Sequence, residues 1–157
     1  MVLIEVEQFK QALEHSARPT RKAGALAAKR IFAATIREMD IVGSYAPGCY
    51  ALLLPTAGLA DAVGVAERLR QVFSQCVPTG QATPAGQGGQ LGPALSVGVV
   101  QVMESDDPVS LLKRAEAALA SANRRGDNQA YYHDGHDCAP TTVILETMSA
   151  VRERSKE

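Results

Sequence analysis

Arg37 and Asp40 stand three residues apart, immediately ahead of a stretch that reads IVGSYAPGCYALLLP. Taken alone, they would form a surface ion pair at i, i+3, worth about 0.5 kcal/mol or less. A second RxxD, Arg124 to Asp127, reads as a solvated helix end and shows how little that spacing means by itself. Glu5 and Glu7 could offer carboxylates to a cation, or they could be ordinary edge or face carboxylates. His133 and His136 flank Asp134-Gly135 in a pattern able to hold a metal, although lone loop histidines ordinarily do not. Cys49 would be a nucleophile only with a base beside it. The sequence places neither His nor acid there, so it reads as a turn residue.

The elements that must position these groups follow from periodicity and turn chemistry. Ile41–Tyr45 and Cys49–Leu54 are apolar-rich runs flanking Ala46-Pro47-Gly48. Pro47 pre-sets the backbone for the second position of a type II turn, and Gly48 supplies the positive φ needed at the third. A hairpin is predicted. Val2–Val6 reads as a first strand and Gln8–His15 as a short helix. Arg21–Asp40 is a helix whose buried stripe is Ala25, Ala28, Phe32, Ile36 and Met39. Leu59–Gln75 is a helix with Leu59, Ala62, Val63, Ala66, Leu69, Val72 and Phe73 on its apolar face. Cys76–Ala94, rich in Gly and Pro, is a loop. Leu95–Met103 reads as a buried strand. Asp106 or Asp107 can cap a helix at Pro108–Arg125 with Val109, Leu112, Ala115, Leu119 and Ala122 inward. Gly126 ends it. Asn128–His133 is the last strand, and a helix is expected at Thr141–Arg154. Residues 1–134 form the expected domain and 135–157 a C-terminal tail. The order β-α-α-β-β-α-β-α-β predicts an α+β, ferredoxin-like sandwich: a mostly antiparallel five-stranded sheet with helices on its faces.

Bulk properties exclude several classes of function. The 157 residues suffice for one domain with a proper core, and 46 % of them are hydrophobic. Lys plus Arg number 16 against 17 Asp plus Glu, which predicts no general affinity for nucleic acid. The absence of Trp disfavours a base-stacking platform. No apolar run approaches a membrane span, and the opening MVLIEVEQF reads as a strand, not a leader. Three cysteines, widely spaced and outside any CxxC pair, point to reduced structural thiols in a cytoplasmic protein without a zinc site.

Four blocks, in order and at fixed separation, make the chain resemble the GGDEF family, the bacterial diguanylate cyclases that make cyclic di-GMP from two GTP. They are EVEQFK, REMD before the hairpin, AERLR, and SVGVV followed by LLKRAEAALASANRRGDN. The resemblance covers Val2 to Tyr132. The family's leading helix and its DxLTGLxNR segment have no counterpart here, which implies a domain cut from a larger chain.

The signature itself is replaced by Ala46-Pro47-Gly48-Cys49-Tyr50. Set against the family, Gly48 stands for a carboxylate metal ligand and Cys49 for a carboxylate that recognises the nucleotide. Pro47 removes an amide donor where paired glycines would let the backbone approach. Glu5 stands for the first metal-binding Asp, Leu13 and Lys22 for guanine-binding residues, and Asn123 and Asp127 for the phosphate-binding cations. One carboxylate does not hold magnesium and a triphosphate. The resemblance therefore implies a degenerate, inactive cyclase with no catalytic residue, no metal and no cofactor.

What the resemblance keeps is the family's inhibitory site, the I-site. Its RxxD matches Arg37–Asp40, and its third member, an Arg in the next helix, matches Arg68. Arg37 can fork onto guanine O6 and N7 or onto phosphate, Asp40 can accept from guanine N1 and N2, and Arg68 can neutralise phosphate or stack on a base. The implied function is a cyclic di-GMP receptor that passes a signal to a protein partner or to further domains, with a ligand-bridged dimer as one consequence. The alternative is a nucleotide-independent interaction or dimerisation module on the same scaffold.

Overall fold

The computed structural model describes residues 1–6, 18–76, 95–126 and 128–154. The expected helix Gln8–His15, residues 77–94 of the expected loop, and residues Glu7, Leu13 and Asp127 lie outside the described residues, as do the side chains of Lys22 and Ala25. In chain order the elements are β1 (Val2–Val6), α1 (Arg18–Thr35), β2 (Ile41–Ala46), β3 (Cys49–Leu53), α2 (Leu59–Cys76), β4 (Leu95–Val100), α3 (Pro108–Arg124), β5 (Ala130–His133), β6 (Cys138–Pro140) and α4 (Thr142–Arg154).

The sheet runs β2-β3-β1-β4-β5-β6 and has six strands, not five. The added strand is β6, which pairs antiparallel with β5 through Tyr131↔Pro140 and His133↔Cys138. Thus the segment expected as a tail completes the sheet, and α4 then packs on α2 with Ile144 and Leu145 against the core. Only β4 and β5 are parallel neighbours, joined by the crossover helix α3.

Alternation along β1 sorts the two faces. Val2, Ile4 and Val6 join Phe32 of α1 and Ala62, Val63, Ala66, Leu69 and Phe73 of α2 in the larger core. Phe32 stands edge-on to Tyr50 at 5.1 Å and stacks on Phe73 at 6.3 Å, so one ring ties α1 to the sheet and to α2. Leu3 points the other way, into a smaller core with Cys49, Val100, Ala115 and Leu119. There α3 lies so close to β4 that a Cβ on Gly98 would stand 2.5 Å from the Leu119 amide nitrogen and 2.6 Å from the Ala115 carbonyl. Only glycine fits at that crossing.

Two predicted elements end early, and one stripe residue of a third is exposed. The helix expected to reach Asp40 stops at Thr35, and Met39, expected on its buried stripe, is 57 % exposed. The strand expected to reach Met103 stops at Val100, leaving Val102 62 % and Met103 40 % exposed. In α3, Ala115, Leu119 and Ala122 are buried as expected, but Val109 in the first turn is exposed. Asp107 is the cap, in a reciprocal box with Ser110, and Gly126 follows the helix with a φ of 109°.

Candidate functional site

The hairpin forms as its turn residues require, with Gly48 at a φ of 76° after Pro47. A register shift between Ser44 and Ala46 twists its tip. Register then gathers the positions that the resemblance marks as catalytic. Glu5 pairs with Cys49 across β1 and β3, and the Val6 amide donates to the Gly48 carbonyl at 2.9 Å. From the α3 side, Asn123 donates its side-chain amide to Glu5 Oε1 at 3.3 Å. Cys49, read as a turn residue, is instead the buried first residue of β3. The place thus assembles one carboxylate, one buried thiol and one amide. That donor set is poor in the hard oxygens a divalent cation needs. Among the described residues no group of three or more His, Cys, Asp or Glu could hold a metal.

One feature of the hairpin escaped the sequence. The Tyr45 hydroxyl donates to the Glu116 carboxylate of α3, bridging the hairpin tip to the helix that covers the neighbouring strands. That hydrogen bond, chiefly, pushes the Tyr45 phenol above its usual value. No local pattern signals a contact between residues 71 positions apart.

At the other end of the hairpin, Arg37 and Asp40 do not occupy a helix end. They bracket a separate turn after α1. The Asp40 amide donates to the Arg37 carbonyl at 3.0 Å, and the Arg37 amide donates back to Asp40 Oδ2 at 2.8 Å. The expected ion pair is replaced by a bond to the backbone. The Arg37 guanidinium is exposed and has no hydrogen bond or ion pair among the described residues.

Arg68 is exposed on α2, between the buried Ala66 and Leu69. Its neighbour Arg70 pairs with Glu67 at 3.0 Å and donates to the Asn128 carbonyl just before β5. Two residues amount to roughly 200° of helix rotation. Arg68 therefore projects from the flank of α2 opposite Arg70. Among the described residues no direct bond joins it to Arg37 or Asp40. Arg37 and Arg68 are both exposed cations, and the Asp40 carboxylate is oriented by its turn.

No family model matches the chain. Over 98 residues it is 32 % identical to the response regulator PleD of Caulobacter vibrioides, an alignment that takes in 61 % of this chain and only 20 % of that protein. Among solved structures, the diguanylate cyclase SiaD of Pseudomonas aeruginosa, determined with its activator SiaC, superposes with a TM-score of 0.68 at 25 % identity. That match covers 83 % of this chain and 48 % of SiaD. The active GGEEF domain of a diguanylate cyclase from Vibrio cholerae gives 0.72 at 18 % identity, over 86 % and 82 % of the two chains. The GGDEF domain of DgcB from Caulobacter crescentus, in complex with c-di-GMP, gives 0.68 at 15 %, over 84 % and 74 %. The fold of the present chain is the GGDEF fold.

Proposed function

We propose that this chain is a catalytically inactive GGDEF-like domain that binds cyclic di-GMP through Arg37, Asp40 and Arg68. The observation that carries the proposal is the contrast within the hairpin. Its tip gathers Glu5, Cys49 and Asn123, with a single carboxylate where metal-dependent phosphoryl chemistry calls for several oxygen ligands. Its base leaves a guanidinium unengaged beside an oriented carboxylate. That pair suits a guanine edge, with Arg37 donating to O6 and N7 and Asp40 accepting from N1 and N2. Arg68 would add charge toward the phosphates. The solved DgcB domain, a structural neighbour, is one that holds c-di-GMP, which fits the ligand class. The domain would then act on a protein partner or on further domains of a longer chain.

Isothermal titration with cyclic di-GMP tests this. Saturable binding is expected, weakened at least about tenfold by Arg37→Ala, since a charged hydrogen-bonding group is worth roughly 1.5–3 kcal/mol. Absence of heat at millimolar ligand, or binding indifferent to Arg37→Ala, would overturn it. Incubation with GTP and magnesium is expected to yield no cyclic product.

A second reading is favoured by the outer strand. β2 is an edge strand with no charged residue, and Ile41 and Tyr45 on it and Leu53 beside it are exposed. Such an edge suits strand addition by a protein partner without any nucleotide. Sedimentation in which association is unaffected by cyclic di-GMP would favour that module over the receptor.

A further inference from the structure

At the end of the sheet away from the hairpin tip, a cleft of about 670 Å³ opens where β4 and β5 finish. These strands are parallel, whereas β1 on the other side of β4 runs antiparallel, so the crevice lies at the carboxyl ends of a βαβ unit. Its volume suits a small molecule. Three side chains in its wall are made into donors by what their remaining atoms do. Gln101 Oε1 accepts the Leu59 amide at 3.2 Å, which leaves its NH₂ group for the cleft. His133 Nδ1 accepts the Gly135 amide at 3.0 Å, so the neutral ring carries its proton on Nε2. Arg114 commits Nε and Nη2 to Asp106 and to the Gln101 carbonyl, while both hydrogens of Nη1 are without a partner among the described residues.

Two acceptors share the same cleft. Glu104 is exposed, and Asp134 uses Oδ1 for the His136 and Asp137 amides, at 2.7 and 2.8 Å, and keeps Oδ2. Leu59 and the exposed Val102 and Met103 supply apolar surface. Met103 is held there by the next loop: its side chain lies 2.9 Å from where a Cβ on Gly135 would stand, at a φ of 113°. A simple anion would meet the two acids, and a simple cation would meet the donors. A molecule with both charges and an apolar body satisfies all three groups.

We propose that this cleft binds a small amphiphilic zwitterion of the apolar α-amino acid class. Its carboxylate would lie on the Arg114, His133 and Gln101 donors, its ammonium toward Glu104 and Asp134, and its side chain on Val102 and Met103. The site is separate from the one assigned to cyclic di-GMP and stands or falls independently of it.

Amide NMR titration of the whole chain with L-phenylalanine tests the proposal, alongside 3-phenylpropionate, which lacks the ammonium, and phenethylamine, which lacks the carboxylate. Saturable shifts confined to residues 101–105 and 133–135 are expected, with each singly charged analogue at least about tenfold weaker. Glu104→Ala, at an exposed position, should weaken phenylalanine binding and leave 3-phenylpropionate unchanged, with the same spectrum reporting that the variant is folded. No saturable shift at the solubility limit of phenylalanine, shifts elsewhere on the surface, or three probes of equal affinity would each overturn it.

Discussion

Between α1 and β2, and again between β4 and α3, the chain makes the same turn. At Arg37–Asp40 and at Met103–Asp106 the aspartate amide donates to the carbonyl three residues back at 3.0 Å, and the aspartate carboxylate accepts that residue's amide at 2.8 Å. The two differ in what else the carboxylate meets. Asp106 also takes the Ser110 hydroxyl at 2.9 Å and the Arg114 guanidinium, and its side chain and that of Arg114 are only 6 % and 12 % exposed. Asp40 has no further partner among the described residues, and the Arg at its own turn is exposed. Local sequence thus builds the turn, and a residue eight positions further on decides whether it is sealed into the fold or left open to solvent.

The largest expected effect breaks the sealed turn from behind. Gly98→Ala would drive α3 off β4 and carry Arg114 away from Asp106. Overpacking against backbone should cost about 3 kcal/mol, read as a lower urea midpoint. Next comes Asp106→Asn, expected to destabilise less than Gly98→Ala and more than any change at Asp40. It also carries a pH signature. The Met103 amide chiefly holds the Asp106 carboxyl below its usual 3.8; burial, next in size, opposes it, and the Arg114 and Ser110 bonds add to the lowering. The unfolded chain therefore takes up this proton first as pH falls, so the stabilisation is complete above 3.8 and is lost below it. Urea midpoints measured from pH 5 downward should fall more steeply for the parent than for Asp106→Asn.

Asp40→Ala removes only an exposed turn bond and should cost about 1 kcal/mol. A loss as large as that of Asp106→Asn would mean that the two turns are equally structural and that the open one is no ligand site. The smallest effect on stability is expected at Arg37→Ala, within about 0.5 kcal/mol of the parent by thermal melting.

Much of this was legible in the sequence, and the misses have local causes. The 3.6-residue stripes of α1, α2 and α3 and the dense apolar run of β4 identified their elements, because burial of one face leaves a periodic trace. The ends did not leave one. Ile36 and Met39 continue the helical spacing, yet the Asp40 carboxylate captures the Arg37 amide and stops the helix at Thr35. Gln101 to Met103 extend the β4 pattern, but the turn to Asp106 claims the Met103 amide and carbonyl. Strand β6 is three residues with a proline at its end, too short for alternation to register. The resemblance located Glu5, Cys49 and Asn123, which the fold brings together. The reach of Tyr45 to Glu116 and the donor wall of the distal cleft depend on contacts across the sheet, and no spacing encodes them.

The bridge from Tyr45 to Glu116 gives the hairpin an optical label of its own. The chain has four tyrosines and no tryptophan, so its near-ultraviolet absorbance belongs to tyrosine. The Glu116 carboxylate holds the Tyr45 phenol above the ordinary value, and burial does the same for Tyr50 on the facing strand. Tyr45 and Tyr50 both belong to the hairpin. A Glu116→Gln variant should shift the late part of an alkaline absorbance titration earlier, reporting release of the hairpin tip from α3 with no dye attached.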